Sequence, residues 1–100
     1  MNVVSKSTLA KFWAKYPDAK GPLEAWYAVV SKAEWSDTHN VRATYGSADF
    51  VGDNRIVFNI GGNKYRLIVH VSYAYKSVLV KFIGTHARYN EIDAGTVDEH

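Results

Sequence analysis

The sequence predicts an α+β fold: two N-terminal helices packed on one face of an antiparallel sheet, followed by a short C-terminal helix. Three observations predict it. Apolar residues recur at helical spacing twice within the first thirty positions, the period becomes that of strands after Asp53-Asn54, and Gly62-Asn63 offers a hairpin turn between two β-rich segments. A chain of 100 residues has room for one such core and not for two.

Each element has its own signal. Val3-Val4 suits a short edge strand. Ser5 or Ser7 suits the cap of a helix reaching Tyr16, in which Leu9, Phe12, Trp13 and Tyr16 fall at i, i+3, i+4 and i+7. Pro17 ends it. Gly21-Pro22 opens a second helix with Pro22 at its first position, and Leu23, Trp26, Tyr27 and Val30 repeat the spacing. From Trp35 to Asp53 the signal weakens, although Asp37 suits the cap of a short helix over His39–Tyr45 that Gly46 ends. Arg55–Ile60, Lys64–Tyr73 and Ser77–Thr85 are rich in β-branched and aromatic residues, as strands are. A last helix over His86–Ala94 follows. No linker or repeat interrupts the chain, so residues 1–94 read as a single domain and 95–100 as a loose acidic tail.

Composition narrows the function classes. With 47% hydrophobic and 22% charged residues the chain is that of an ordinary globular protein. No apolar run approaches the ~20 residues of a membrane helix, and Met1-Asn2-Val3-Val4-Ser5-Lys6 lacks a signal-peptide core, which predicts a cytoplasmic protein. The absence of cysteine excludes disulfides, thiolate zinc sites and cysteine nucleophiles. The four histidines lack metal-ligand spacing, so neither a metal nor another cofactor is expected. The net charge of +2 is uneven. Glu91, Asp93, Asp98 and Glu99 lie in the last ten residues, leaving 12 basic against 6 acidic groups before them. A body with that surplus suits a polyanionic partner, and equally suits mere solubility.

The strand pattern gathers part of this charge. With Gly62-Asn63 as a two-residue turn, Asn59 lies opposite Arg66. Phe58, Ile60, Tyr65, Leu67, Val69 and Val71 then form a core face, and Val57, Asn59, Lys64, Arg66, Ile68 and His70 the other. Keeping Lys81 out of the core sends Val78, Val80 and Phe82 inward, and places Lys81, Ile83 and Thr85 beside Arg66. The result is a polar strip of Asn59, Lys64, Arg66, Lys81 and His86, with Tyr89 one turn further on. An ordinary solvated sheet face gives the same pattern, so the strip alone does not identify a function.

Phe58-Asn59-Ile60-Gly61-Gly62-Asn63-Lys64-Tyr65-Arg66-Leu67-Ile68, followed by Gly84-Thr85-His86-Ala87-Arg88-Tyr89, resembles the HigB toxins of the RelE superfamily. The likeness extends through Trp26, Ala33-Glu34-Trp35 and Tyr45–Asp49, and covers roughly residues 5–94. It implies a RelE-like microbial RNase fold with two helices on a twisted antiparallel sheet. It also implies the toxin of a type II toxin–antitoxin system: an endoribonuclease (mRNA interferase) that cuts messenger RNA in the ribosomal A site and inhibits translation. The implied partner is a HigA-like helix-turn-helix antitoxin. Two positions depart from the family. The family often has an acid where Arg88 stands, and basic positions of some relatives fall at Val57 and Asn59.

Metal-free RNA cleavage requires removal of the 2′-hydroxyl proton, stabilisation of phosphate charge and a proton for the leaving oxygen. Arg66 matches the family arginine, and its planar fork of donors suits phosphate oxygens. His86 is the candidate for proton transfer, as acid or as base. Lys81 is expected to neutralise the phosphate or to act on His86, and Tyr89 to stack on a base or donate to the phosphate. Asn59 and Lys64 are candidate RNA contacts. His70 and His39 read as surface residues, and Gly61-Gly62 as turn residues rather than a phosphate loop. Trp13, Trp26 and Trp35 read as core, or as a face for the antitoxin. The competing reading is a non-catalytic module that binds RNA or protein with the same face; a degenerate toxin kept only to pair with its antitoxin is a third.

Overall fold

The structure, a computed structural model, describes residues 1–99. Its elements run β1 (Asn2–Val4), α1 (Lys6–Lys15), a 3₁₀ turn (Pro17–Ala19), α2 (Lys20–Lys32), α3 (Thr38–Thr44), β2 (Asp49–Val51), β3 (Arg55–Ile60), β4 (Tyr65–Ser72), β5 (Ser77–Thr85) and α4 (His86–Tyr89). The strands form one sheet in the order β1-β5-β4-β3-β2. The fold is α+β as expected, but the sheet is mixed, because β1 runs parallel to β5 at the edge. Among the described residues no helix is long and apolar enough to cross a membrane.

Local chemistry explains most boundaries. Pro17 ends α1 and starts the 3₁₀ turn, which runs straight into α2. Pro22 is therefore the third residue of α2 rather than its first. Ser5 precedes α1 with a left-handed backbone (φ 75°) and no side-chain cap bond, so the expected serine cap is not made. Asp37 does cap α3, accepting from the Asn40 amide at 3.1 Å. The hairpin has the expected register, with Asn59 opposite Arg66, and Gly61, Gly62 and Asn63 all take the positive φ that its turn requires.

Leu9, Leu23, Trp26 and Val30 of the helices meet Phe58, Leu67, Val69, Val71, Val78 and Val80 of the sheet in the main core. Each such side chain contributes roughly 1.5–3 kcal/mol through burial. Trp26 and Trp35 pack around Phe58, with ring centres 5.5 and 6.3 Å away, and Trp13 is half-buried at the core's margin.

The third strand departs from strict alternation. Ile68 pairs with Phe82 but Val69 pairs with Val80, so β5 carries one extra residue, Lys81, in a bulge. Val78 and Val80 face the helices as expected. Phe82 does not: past the bulge it joins Val57 and Ile68 on the opposite face, while Ile83 packs against the main core and Thr85 pairs with Tyr65. A one-residue insertion inverts every later side chain, which is how one strand serves both faces.

The opposite face is not open throughout, and the acidic end is not loose. α4 stops at Tyr89 rather than reaching Ala94, and Ile92, Ala94 and Val97 fold back onto Val57, Ile68 and Phe82. Buried Arg55 holds this segment, donating from Nη1 to the carbonyls of Val97 (2.6 Å) and Ala94 (3.3 Å). The Glu99 amide donates to the Lys81 carbonyl at 2.6 Å. Three apolar side chains set among acids, with these hydrogen bonds, dock residues 92–99 as a strap.

Candidate functional site

Beyond the strap, Asn59 is exposed and Arg66 half-buried on the same side of the sheet. Asn59 of β3, Arg66 of β4 and Gly84 of β5 lie side by side across it. Gly84 has no side chain, and the Phe82 ring lies over it, so close that an added Cβ would meet Cζ at 2.5 Å. Gly84 is itself buried under that ring, so the space beside Arg66 on this strand is filled by Phe82 and has no room for a side chain at position 84.

α4 brings the remaining groups. The Thr85 hydroxyl accepts from the Arg88 amide at 3.1 Å and so starts the helix at the strand's exit. His86 and Tyr89 are three positions apart and share one helix face. Their rings meet edge to face at 6.4 Å, and the Arg66 guanidinium lies over the Tyr89 ring at 5.6 Å. The His86 amide donates to the Lys64 carbonyl at 3.1 Å, and Arg66 Nη1 donates to the Asn63 carbonyl at 3.3 Å. The helix, the strand and the hairpin turn are thereby tied together. Arg66 is partly buried and His86 exposed, and both side chains lie against the Tyr89 ring.

Two predicted residues do not join this set. The Lys64 ammonium is bound to Asp18 of the 3₁₀ turn, where the Tyr65 hydroxyl also donates. The Asp18 carboxyl is held below the usual aspartate range, first by Lys64 and then by Tyr65, and Asp18 raises both partners in turn. Lys81 bonds Asp98 of the strap at 3.2 Å and lies three residues along β5 from Gly84, roughly 10 Å at strand rise. Asn59 is exposed beside Arg66. His70 pairs with Arg55 at the far end of the hairpin, and His39 is exposed on α3.

Arg88, noted in the sequence only as a departure from the family pattern, is a further basic side chain at this end of the sheet. Its guanidinium lies 5.9 Å from the Phe82 ring and bonds Glu99 at 2.6 Å. The signal was present, since Arg88 is a base where the resembled family often has an acid. What the sequence did not show was that the compensating acid sits eleven residues on.

Residues 19–92 match the family model described as HigB toxin, RelE-like toxic component of a toxin–antitoxin system. The chain is similar to the mRNA interferase HigB of Escherichia coli O6:H1, with 29% identity over 94 residues that cover 92% of this chain and 91% of the relative. It is likewise similar to the mRNA interferase HigB of Shigella flexneri, at 26% identity over 92 residues covering 90% and 88% of the two chains.

Proposed function

The chain belongs to the HigB toxin family, the RelE-like toxic components of toxin–antitoxin systems, and from that premise we propose that it is an endoribonuclease cutting messenger RNA on the Arg66 face. The observation that carries this reading is the fixed pairing of Arg66 with Tyr89, with His86 on the same face of α4. The 2′-oxygen attacks the adjacent phosphorus and loses its proton as the new P–O bond forms. The bond to the 5′-oxygen breaks, and that oxygen takes up a proton. A 2′,3′-cyclic phosphate and a 5′-hydroxyl result. Arg66 stabilises the charge on the phosphate oxygens, and His86 moves a proton at one of the two oxygens. Tyr89 holds the guanidinium and offers a ring to a base, and Asn59 contacts the neighbouring nucleotide.

Lys64 and Lys81 stand outside the reacting set in this mechanism: their ammonium groups lie at Asp18 of the 3₁₀ turn and at Asp98 of the strap. The set is small, which suits a substrate positioned by something else. Messenger RNA in the ribosomal A site is such a substrate, since alignment alone removes much of a barrier. The working compartment is then the cytoplasm, and the silencing partner a HigA-like antitoxin with a helix-turn-helix domain.

Induced expression of the wild type, Arg66→Ala and His86→Ala, with cellular mRNA ends mapped, tests this reading. In-frame cuts and growth arrest by the wild type alone are expected. Cuts by His86→Ala at wild-type frequency would remove His86 from the chemistry. Well-folded wild type that neither arrests growth nor cuts would leave a binding module.

A further inference from the structure

The free edge of β5 opens a second feature beside the Arg66 row. β1 covers this edge only as far as Leu79. Beyond it lies a cleft of about 260 Å³ between α1 and the strap, with Phe12, Lys15 and Tyr16 on one wall and Gly84, Arg88 and Glu99 on the other side. Gly84 is also the β5 member of the Arg66 row, so the cleft and the row share a wall. Phe12 and Tyr16 are half-buried and stacked, with ring centres 4.7 Å apart.

The Glu99 carboxylate sits on Arg88 in this cleft, and the preceding residue places a second carboxylate on Lys81. Each pair has a carboxylate about half open to solvent, so each is worth little and exchanges readily. A phosphate offers the same charge with more acceptor oxygens than a carboxylate. Cations beside half-buried aromatic rings at the mouth of a cleft, continuous with a cleavage site, suit single-stranded nucleic acid.

We propose that this cleft is a second RNA subsite, in which Arg88 and Lys15 hold a backbone phosphate next to the cut and Phe12 and Tyr16 receive its base. Glu99 occupies the phosphate position until RNA displaces it. The inference rests on the Arg66 face being the cleavage site, and adds where the flanking nucleotide lies. It gives the basic residue at position 88 a purpose and the strap a role as a weak internal competitor.

A short 2′-O-methyl oligoribonucleotide, which cannot be cut, titrated into the full chain by NMR tests the subsite. The Gly84 amide and the Arg88 Nε–H signal are expected to shift. Glu99→Gln should tighten binding about threefold, the worth of an exposed ion pair. Arg88→Gln should weaken it about fivefold or more, and Glu99→Gln should add nothing once Arg88 is gone. Glu91→Gln, an exposed acid outside the cleft, controls for net charge and should change little. Equal tightening by Glu91→Gln, persistence of the Glu99→Gln gain without Arg88, or no shift at Gly84 would each overturn the proposal. So would shifts there with an acidic peptide but not with RNA. Cleavage by wild type and Arg66→Ala, scored in a translating extract, reports separately on the reading beneath it.

Discussion

The Arg66 guanidinium rests over the Tyr89 ring, 5.6 Å from its centre, and so joins a strand of the hairpin to the one-turn helix after β5. The ring limits where the guanidinium goes, and its bond to the Asn63 carbonyl limits it further. If this orientation is what the chemistry uses, Tyr89→Phe keeps cleavage within about threefold of wild type, because the cation–ring contact survives. Tyr89→Ala and Arg66→Lys should each lose about 100-fold, the usual cost of a missing charge-stabilising donor. Single-turnover cleavage in a translating extract measures all three.

Asp18 and Lys64, both exposed, and Tyr65, which is buried, fasten the hairpin to the helical layer, and the fastening depends on pH. The folded Asp18 value lies below the ordinary 3.8, so its contribution is complete above that value and is lost as pH falls through the lower folded one. Lys64 is raised above 10.5, so its contribution is complete below that value and is lost as pH rises through the folded one. Urea midpoints of wild type should therefore fall more steeply than those of Asp18→Asn at the acid end. Parallel curves would show that the triad contributes nothing to stability.

Gly84→Ala places a methyl carbon 2.5 Å from Phe82 Cζ, and the Phe82 ring, 1% exposed beneath the strap, has little room to move. Overpacking of this kind costs about 1–3 kcal/mol. Urea denaturation should show that loss, and Phe82→Leu combined with Gly84→Ala should recover part of it. A neutral Gly84→Ala would mean that the ring is not held where the bulge puts it.

Arg55→Met should loosen the strap without unfolding the domain. Methionine fills the volume but leaves the Ala94 and Val97 carbonyls without their donor. A hydrogen bond from a charged group is worth about 1.5–3 kcal/mol, so the Glu99 amide is expected to exchange at least tenfold faster. The amide of Val69 in the core should keep its protection. Hydrogen exchange by NMR separates the two.

Much of the fold was legible because its signals are local. Two helical stripes, three β-rich runs and the Gly-Gly-Asn turn each declare themselves within a dozen residues, and the turn alone sets Asn59 against Arg66. The bulge was not legible. Strict alternation kept Lys81 out of the core by sending Phe82 inward, whereas an inserted residue satisfies both by giving Phe82 the other face. The strap was hidden for a related reason: its acids dominate the composition, while Ile92, Ala94 and Val97 do the packing. In the site, sequence parity brought Asn59 to Arg66, and the helical spacing of His86 and Tyr89 put them on one face. It could not reveal that Asp18 and Asp98 draw Lys64 and Lys81 elsewhere, because those partners are distant in sequence.

The parallel pairing of β1 with β5 orders events during folding. Asn2 lies against Ser77, so this contact closes a loop of most of the chain, whereas β3, β4 and β5 pair through short turns. Long-range closure costs more entropy and comes late. The meander assembles first and presents an unfinished margin along Ser77–Leu79. The strand that emerges first from synthesis is thus among the last to find its place. Until it does, Val78 and its neighbours are an apolar edge open to other chains, the kind of edge that invites strand pairing between molecules.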